Sequence, residues 1–185
     1  MPLTPEELDA ITHAAIGCGI RVHSETGPGL LESTYQACYA YELAATGLSF
    51  RCEVPVPVVY RDVKLNCGYR LDFLIADRVI VEVKSVAQIA PIHVAQMLTY
   101  LRLTNCRVGL LINFNVTRLT DGVKRVVNRF DDDESASGVR SQEAPHLVES
   151  GGTPVRGDMS VAEPKIIVET VTQPGKILRF LGIWR

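Results

Sequence analysis

"GYRLDFLIADRVIVEVKS", Gly68 to Ser85, sets two carboxylates and a lysine among aliphatic residues. Ala76, Asp77 and Arg78 form a natural turn between "RLDFLI" and "VIVEVK". A three-residue hairpin loop there pairs Ile75 with Val79, Leu74 with Ile80, Phe73 with Val81 and Asp72 with Glu82. Side chains alternate along a strand, so Glu82 and Lys84 share one face while Phe73, Ile75, Val79, Val81 and Val83 point to the other. The register sets Asp72 against Glu82, and facing like charges destabilise a sheet unless a cation lies between them. A divalent metal meets that need. Hard cations such as Mg²⁺ take oxygen ligands, so two carboxylates with a main-chain carbonyl and waters make a reasonable site. Lys84 could then orient an attacking water or stabilise charge on a phosphate. The competing reading is a structural Glu82–Lys84 ion pair with Asp72 at a strand end, because E-x-K triplets are common in isolation.

The flanking sequence gives this hairpin a setting. "TPEELDAITHAAIGCGIRVHSETG" opens with Thr4, Pro5 and Glu7, a capping box with proline in the first helical position. Leu8, Ile11, Ala15, Cys18 and Val22 recur at helical spacing, which predicts an amphipathic helix ending before Gly27. "GPG" at 27–29 breaks the chain and launches a second helix, closed by Gly47. Residues 50–60, "FRCEVPVPVVY", read as an extended edge strand, since Pro55 and Pro57 cannot donate ladder hydrogen bonds. Two strands follow within 69–86, then a helix from about Pro91 to Thr104. "RVGLLINFN" is a continuous apolar run that fits a buried strand. The order helix, helix, three strands, helix, strand predicts an α/β sandwich around a mostly antiparallel sheet with one crossover helix.

The ordered pattern stops near Phe130. Residues 131–164 are acidic, then rich in Ser, Gly and Pro, and read as a flexible linker. The last segment, 165–185, has two β-prone runs around "QPGK" that fit a C-terminal hairpin or tail.

The chain has 185 residues, 46% hydrophobic and 22% charged, which is enough for one ordinary globular domain. Its formal net charge of -2 gives no global basic field, so contact with nucleic acid would rest on local surface features. Five widely spaced cysteines with no CxxC pair read as reduced thiols. No run approaches the roughly 20 apolar residues of a membrane helix, and no secretory signal opens the sequence, so a cytoplasmic location is the expectation.

Asp72 followed by Glu82-Val83-Lys84 resembles the D…(D/E)XK signature of the PD-(D/E)XK nuclease superfamily, with Leu71 where the full motif has proline. "GLLESTY", Gly29 to Tyr35, is similar to the GxxExxY pattern that names a family within it, and "QMLTY", Gln96 to Tyr100, resembles a QxxxY motif. The resemblance spans about residues 5–130 and implies a restriction-endonuclease-like core, a mixed sheet flanked by helices with the carboxylates on its central hairpin. It also implies Mg²⁺ or Mn²⁺ held by Asp72 and Glu82, Glu32 as a third acid, Lys84 assisting the water, and Gln96 and Tyr100 facing the site. His93 shares their helical face. Arg70, Arg102, Lys124, Arg125 and Arg129 are the candidate phosphate contacts. The expected function is metal-dependent hydrolysis of nucleic-acid phosphodiester bonds. A non-catalytic nucleic-acid-binding or protein-interaction module on the same fold is the alternative, and a phosphoester hydrolase acting on a non-polymer is a third reading. DNA against RNA, exo against endo cleavage, and oligomeric state stay open.

Overall fold

The structure, a computed structural model, describes residues 4–128, 166–173 and 176–181. Helix α1 (Pro5–Thr26) begins as the capping box requires: the Thr4 hydroxyl accepts from the Glu7 N–H, and the Glu7 carboxylate accepts from the Thr4 N–H. It ends on Gly27, followed by α2 (Glu32–Ala44). Strands β1 (Phe50–Tyr60), β2 (Val63–Ile75) and β3 (Val79–Lys84) form an antiparallel meander. Helix α3 (Pro91–Thr104) then crosses over to β4 (Val108–Asn113), which runs parallel to β3. β5 (Val123–Asn128), β6 (Ile166–Gln173) and β7 (Lys176–Leu181) each add antiparallel, so seven strands lie in chain order with one parallel pair. β1 is an edge strand, as its prolines demand, and β7 lies at the opposite edge. The linker expected over 131–164 lies outside the described residues.

The sheet carries a core on each face. Leu8, Ile11, Ala15, Cys18 and Val22 of α1, with Tyr35, Tyr39 and Leu43 of α2, pack on Phe73, Ile75, Val79, Val81, Val83 and Leu110. On the other face Val94, Met97, Leu98 and Leu101 of α3 pack on Leu71, Leu74, Ile80, Leu111 and Val126. Each such aliphatic side chain contributes about 1.5–3 kcal/mol on full burial. α3 lies close because position 109 is glycine: a Cβ there would meet the Met97 sulfur at 2.2 Å. Strands β3 and β4 are buried throughout except for Lys84, which explains why they read as unbroken apolar runs apart from the residues that carry chemistry.

Two features differ from expectation. β2 begins at Val63 rather than near Tyr69, so β1 and β2 make a long hairpin joined by Arg61 and Asp62, with Arg61 at φ 52°. Turn rules look for glycine or asparagine at such a position, and arginine gave no signal. β5 went unassigned because "VKRVVN" is a short mixed run; Arg125 on it pairs with Asp9 of α1 at 2.8 Å.

Candidate active site

The β2–β3 ladder holds the expected register for Phe73↔Val81, Leu74↔Ile80 and Ile75↔Val79, across a loop in which Ala76 and Asp77 take φ of 50° and 55°. It departs from expectation at the next rung. Asp72 and Glu82 are not a cross-strand pair. Instead the Val83 N–H donates to Asp72 Oδ2 at 2.9 Å, and the Asp72 N–H donates to Glu82 Oε1 at 3.2 Å. Each carboxylate thus stands in for a rung, accepting a main-chain donor of the opposite strand. On its other side Asp72 also drops out of the β1 pairing, which skips from Cys52↔Phe73 to Val54↔Leu71, with Glu53 at φ 51°. Leu71 and Leu74 lie in the core under α3 while Phe73 and Ile75 lie in the core under α1 and α2. The inside-outside alternation therefore slips at Asp72, freeing its carboxylate from both cores.

Glu32 reaches the same place from α2. Gly29, at φ 106°, turns the chain into the helix in a conformation that favours glycine. The buried Tyr35 hydroxyl fastens that turn by donating to the Gly27 carbonyl (2.6 Å) and accepting from the Leu30 N–H (3.1 Å), while its ring stacks on Phe114 at 4.4 Å. Glu32, the first residue of α2, accepts from the Ser85 N–H at 3.3 Å and lies 3.7 Å from Lys84 Nζ; the Ser85 hydroxyl donates to the Leu30 carbonyl at 2.8 Å. The helix start is thereby tied to the end of β3.

Lys84 sits between two acids, with Nζ 3.3 Å from Glu82 Oε2 and 3.7 Å from Glu32 Oε1. Burial alone would lower the pKa of this ammonium, but Glu82, Glu32 and Asp72 outweigh it and raise it. Glu82, 3% exposed, is pushed up to about 7, by burial first and then by the Asp72 charge, against the pull of Lys84. Burial also raises Asp72, opposed by the Val83 N–H, by Lys84 and by a hydrogen bond from Gln36. Gln36 is a site residue that the sequence reading missed. Its signal was available: it lies four residues after Glu32, on the same face of α2. Asn113 was missed too. Its buried amide clamps both polar groups of the Val86 backbone, at 3.0 and 2.8 Å, fixing the chain as it leaves β3, and nothing in the sequence marks it.

Gln96 donates to the Tyr100 hydroxyl at 2.7 Å, and that hydroxyl donates to the Arg70 carbonyl at 3.3 Å, two residues before Asp72. Tyr100 is 2% exposed, and its hydroxyl pKa is raised by burial and then by Glu82. The pair thus braces β2 beside the acids. His93 Nδ1 accepts the Ala90 N–H at 3.1 Å and caps α3. Of the basic candidates, Arg70 pairs with Glu53 at 3.0 Å and Arg125 with Asp9, while Arg129 lies outside the described residues.

Among the described residues no three His, Cys, Asp or Glu side chains gather as a ready metal cage. The donor chemistry nonetheless fits a hard divalent cation, which needs few protein oxygens and keeps several waters. Glu82 is buried and Asp72 half-buried beside it; burial raises both pKa values, and on Glu82 the Asp72 charge adds to it against the pull of Lys84. Among the described residues no helix is long and apolar enough to cross a membrane, and Cys18, Cys38, Cys52 and Cys106 are free thiols.

No curated protein and no solved structure matches the chain. Comparison with protein families gives a match over residues 9–126, a stretch that contains Glu32, Asp72, Glu82, Lys84, Gln96 and Tyr100. With that match covering more than half of its length, the chain belongs to the PD-(D/E)XK nuclease superfamily.

Proposed function

We propose that this protein is a Mg²⁺- or Mn²⁺-dependent nuclease of the GxxExxY branch, hydrolysing phosphodiester bonds of DNA or RNA in the cytoplasm. One observation carries the reading: Asp72 and Glu82 each replace a ladder rung at the splayed end of β2 and β3, with Lys84 3.3 Å from Glu82. A stable sheet has no use for a buried glutamate beside a half-buried aspartate at such a break, whereas a cation-binding site does.

Asp72 and Glu82 would hold the metal, with Glu32 across Lys84 as the third acid. The cation, when bound, supplies Lewis-acid polarisation of a phosphate oxygen and of an attacking water. The backbone N–H groups of Val83 and Asp72 fix the carboxylates before any ligand arrives, so little reorganisation is needed. Lys84 acts as a cation and not as a base. Its ammonium is held protonated by three carboxylates, so it donates hydrogen bonds to the water or to the negative phosphate oxygens. Gln36 steadies Asp72, and the Gln96–Tyr100 pair steadies the strand that carries it.

The test is degradation of single- and double-stranded DNA and RNA by purified protein with Mg²⁺ or Mn²⁺, beside Asp72→Ala and Glu82→Ala prepared identically. Cleavage by the wild type that falls at least about a hundredfold in each variant is expected. Full activity in Asp72→Ala would assign the cleavage to a contaminant. Metal-independent binding without cleavage, unaffected by Asp72→Ala, would instead establish the non-catalytic module.

A further inference from the structure

Strand β2 carries more than the acid. Before reaching Asp72 it forms, with β1, a hairpin arm that extends past the part covered by α3. Val56 pairs with Tyr69 at the base and, beyond a shift in register, Val58 pairs with Leu65 and Tyr60 with Val63, and cross-strand partners present their side chains on the same face. At the base that face is core: Val56 is buried under α3, and the Tyr69 ring stands edge-on to Tyr100, centroids 5.9 Å apart. Further out its large apolar side chains are exposed. Tyr60, Val63, Leu65 and Tyr69 are 60%, 58%, 40% and 38% exposed, and they make up four of the nine large apolar side chains left exposed among the described residues. That is a patch rather than the usual scatter, and such patches mark binding surfaces.

We propose that this arm binds an unpaired stretch of the nucleic-acid substrate, with bases stacked on Tyr60 and Tyr69. The proposal deepens the nuclease reading and rests on it for the identity of the polymer. Continuity favours this occupant: Tyr69 lies three residues before Asp72 on the same strand and touches Tyr100, which bonds the carbonyl of Arg70. A polymer held at Asp72 and Glu82 therefore continues over the arm. Charge selects the form of that polymer. Residues 53–70 contain three cations (Arg61, Lys64, Arg70) and two carboxylates (Glu53, Asp62), and the whole chain is at -2. Of the cations, Arg70 is paired with Glu53, and Arg61 lies over the Tyr60 ring with its guanidinium carbon 5.5 Å from the centroid. A duplex offers its phosphates and hides its base faces, so it has little to hold on this near-neutral arm. Unpaired bases expose π-faces that tyrosine rings bind whatever the sequence. Val63 and Leu65 add apolar contact between the two rings.

The experiment is fluorescence anisotropy of labelled oligo(dT), oligo(U) and a blunt duplex with the full chain in EDTA, where cleavage cannot interfere. Unpaired oligomers should bind more tightly than the duplex, with a shallow salt dependence. Tyr60→Ala and Tyr69→Ala should each weaken binding of the unpaired oligomers about tenfold. Tyr60→Phe and Tyr69→Phe should preserve it, as should Tyr41→Ala, a substitution of the 78%-exposed tyrosine on α2. Equal binding of duplex and single strand, or an unchanged affinity in the double alanine variant, overturns the proposal. So does a wild-type dimer that the double variant dissociates, since the patch would then be covered by a second copy of the chain. The two readings fail separately: tyrosine-dependent binding without cleavage under either metal sinks the nuclease and spares the arm, whereas cleavage with tyrosine-independent binding does the reverse.

Discussion

Lys84 shows at the scale of one residue how the fold sets chemistry. Its ammonium has Glu82 on one side and Glu32 on the other, and those carboxylates keep it charged although its side chain is only 13% exposed. Lys84→Met keeps most of the aliphatic stem and removes the charge, leaving the three acids less neutralised. The variant is expected to bind Mn²⁺ as tightly as the wild type or more so, because the competing cation is gone. Cleavage should fall about a hundredfold or more, the cost typical of losing one donor aimed at developing charge. Calorimetric titration and initial rates measured together check this. A variant that cleaves at the wild-type rate would remove Lys84 from the reaction, and one that loses the metal would make its role structural.

At the scale of elements, the GxxExxY stretch works as a fastening rather than as a set of reacting groups. Gly29 supplies the turn, Tyr35 pins it, and only Glu32 reaches Lys84. Tyr35→Phe is expected to cost about 1–3 kcal/mol, because the Gly27 carbonyl and the Leu30 N–H lose their buried partner, and to lower cleavage as Glu32 loosens. Tyr39→Phe is the matched control. Its hydroxyl donates to the Ala15 carbonyl at 2.9 Å and joins α1 to α2 without holding the turn before Glu32, so stability should drop similarly with the rate preserved. Urea unfolding and initial rates separate the two, and an equal rate loss in Tyr39→Phe would defeat the fastening argument. Gly29, Glu32 and Tyr35 stand within seven residues of one another, so their pattern was visible in the sequence. The slip at Asp72 was not: strict alternation predicted a facing Asp72–Glu82 pair, and only the tertiary choice to bond each carboxylate to a backbone N–H breaks that register. The turn at Arg61 and Asp62 was hidden for a similar reason, since Arg61 takes a positive φ without being glycine or asparagine.

Over the whole molecule, the site opposes the stability of the fold that holds it. The mixed sheet and its two cores follow from apolar runs and helical periodicity, which is why the architecture could be read from the sequence, whereas Gln36 and Asn113 act through contacts between distant segments. The acids pull the other way. Glu82 is held at about 7 in the folded chain against an ordinary 4.5, so between those values the folded state binds the extra proton. Its contribution is fully present below the lower value and is lost as pH rises through about 7, and Asp72, shifted in the same direction, adds the same sign. Lys84 is protonated in both states throughout this window and leaves the slope unchanged. Metal-free protein should therefore lose stability from pH 4.5 to 7, by roughly 3 kcal/mol from Glu82 alone. A divalent cation that binds only the folded state offsets this loss, increasingly so as the acids ionise; at a hundred times its Kd it contributes about 2.7 kcal/mol. Urea unfolding across that range, in EDTA and then in excess Mn²⁺, should show a downward slope that the metal flattens. Glu82→Gln should flatten the slope in EDTA and abolish most of the response to metal. An unaltered slope in that variant would mean that the proton resides elsewhere and that Glu82 beside Asp72 is not the source of the pH dependence.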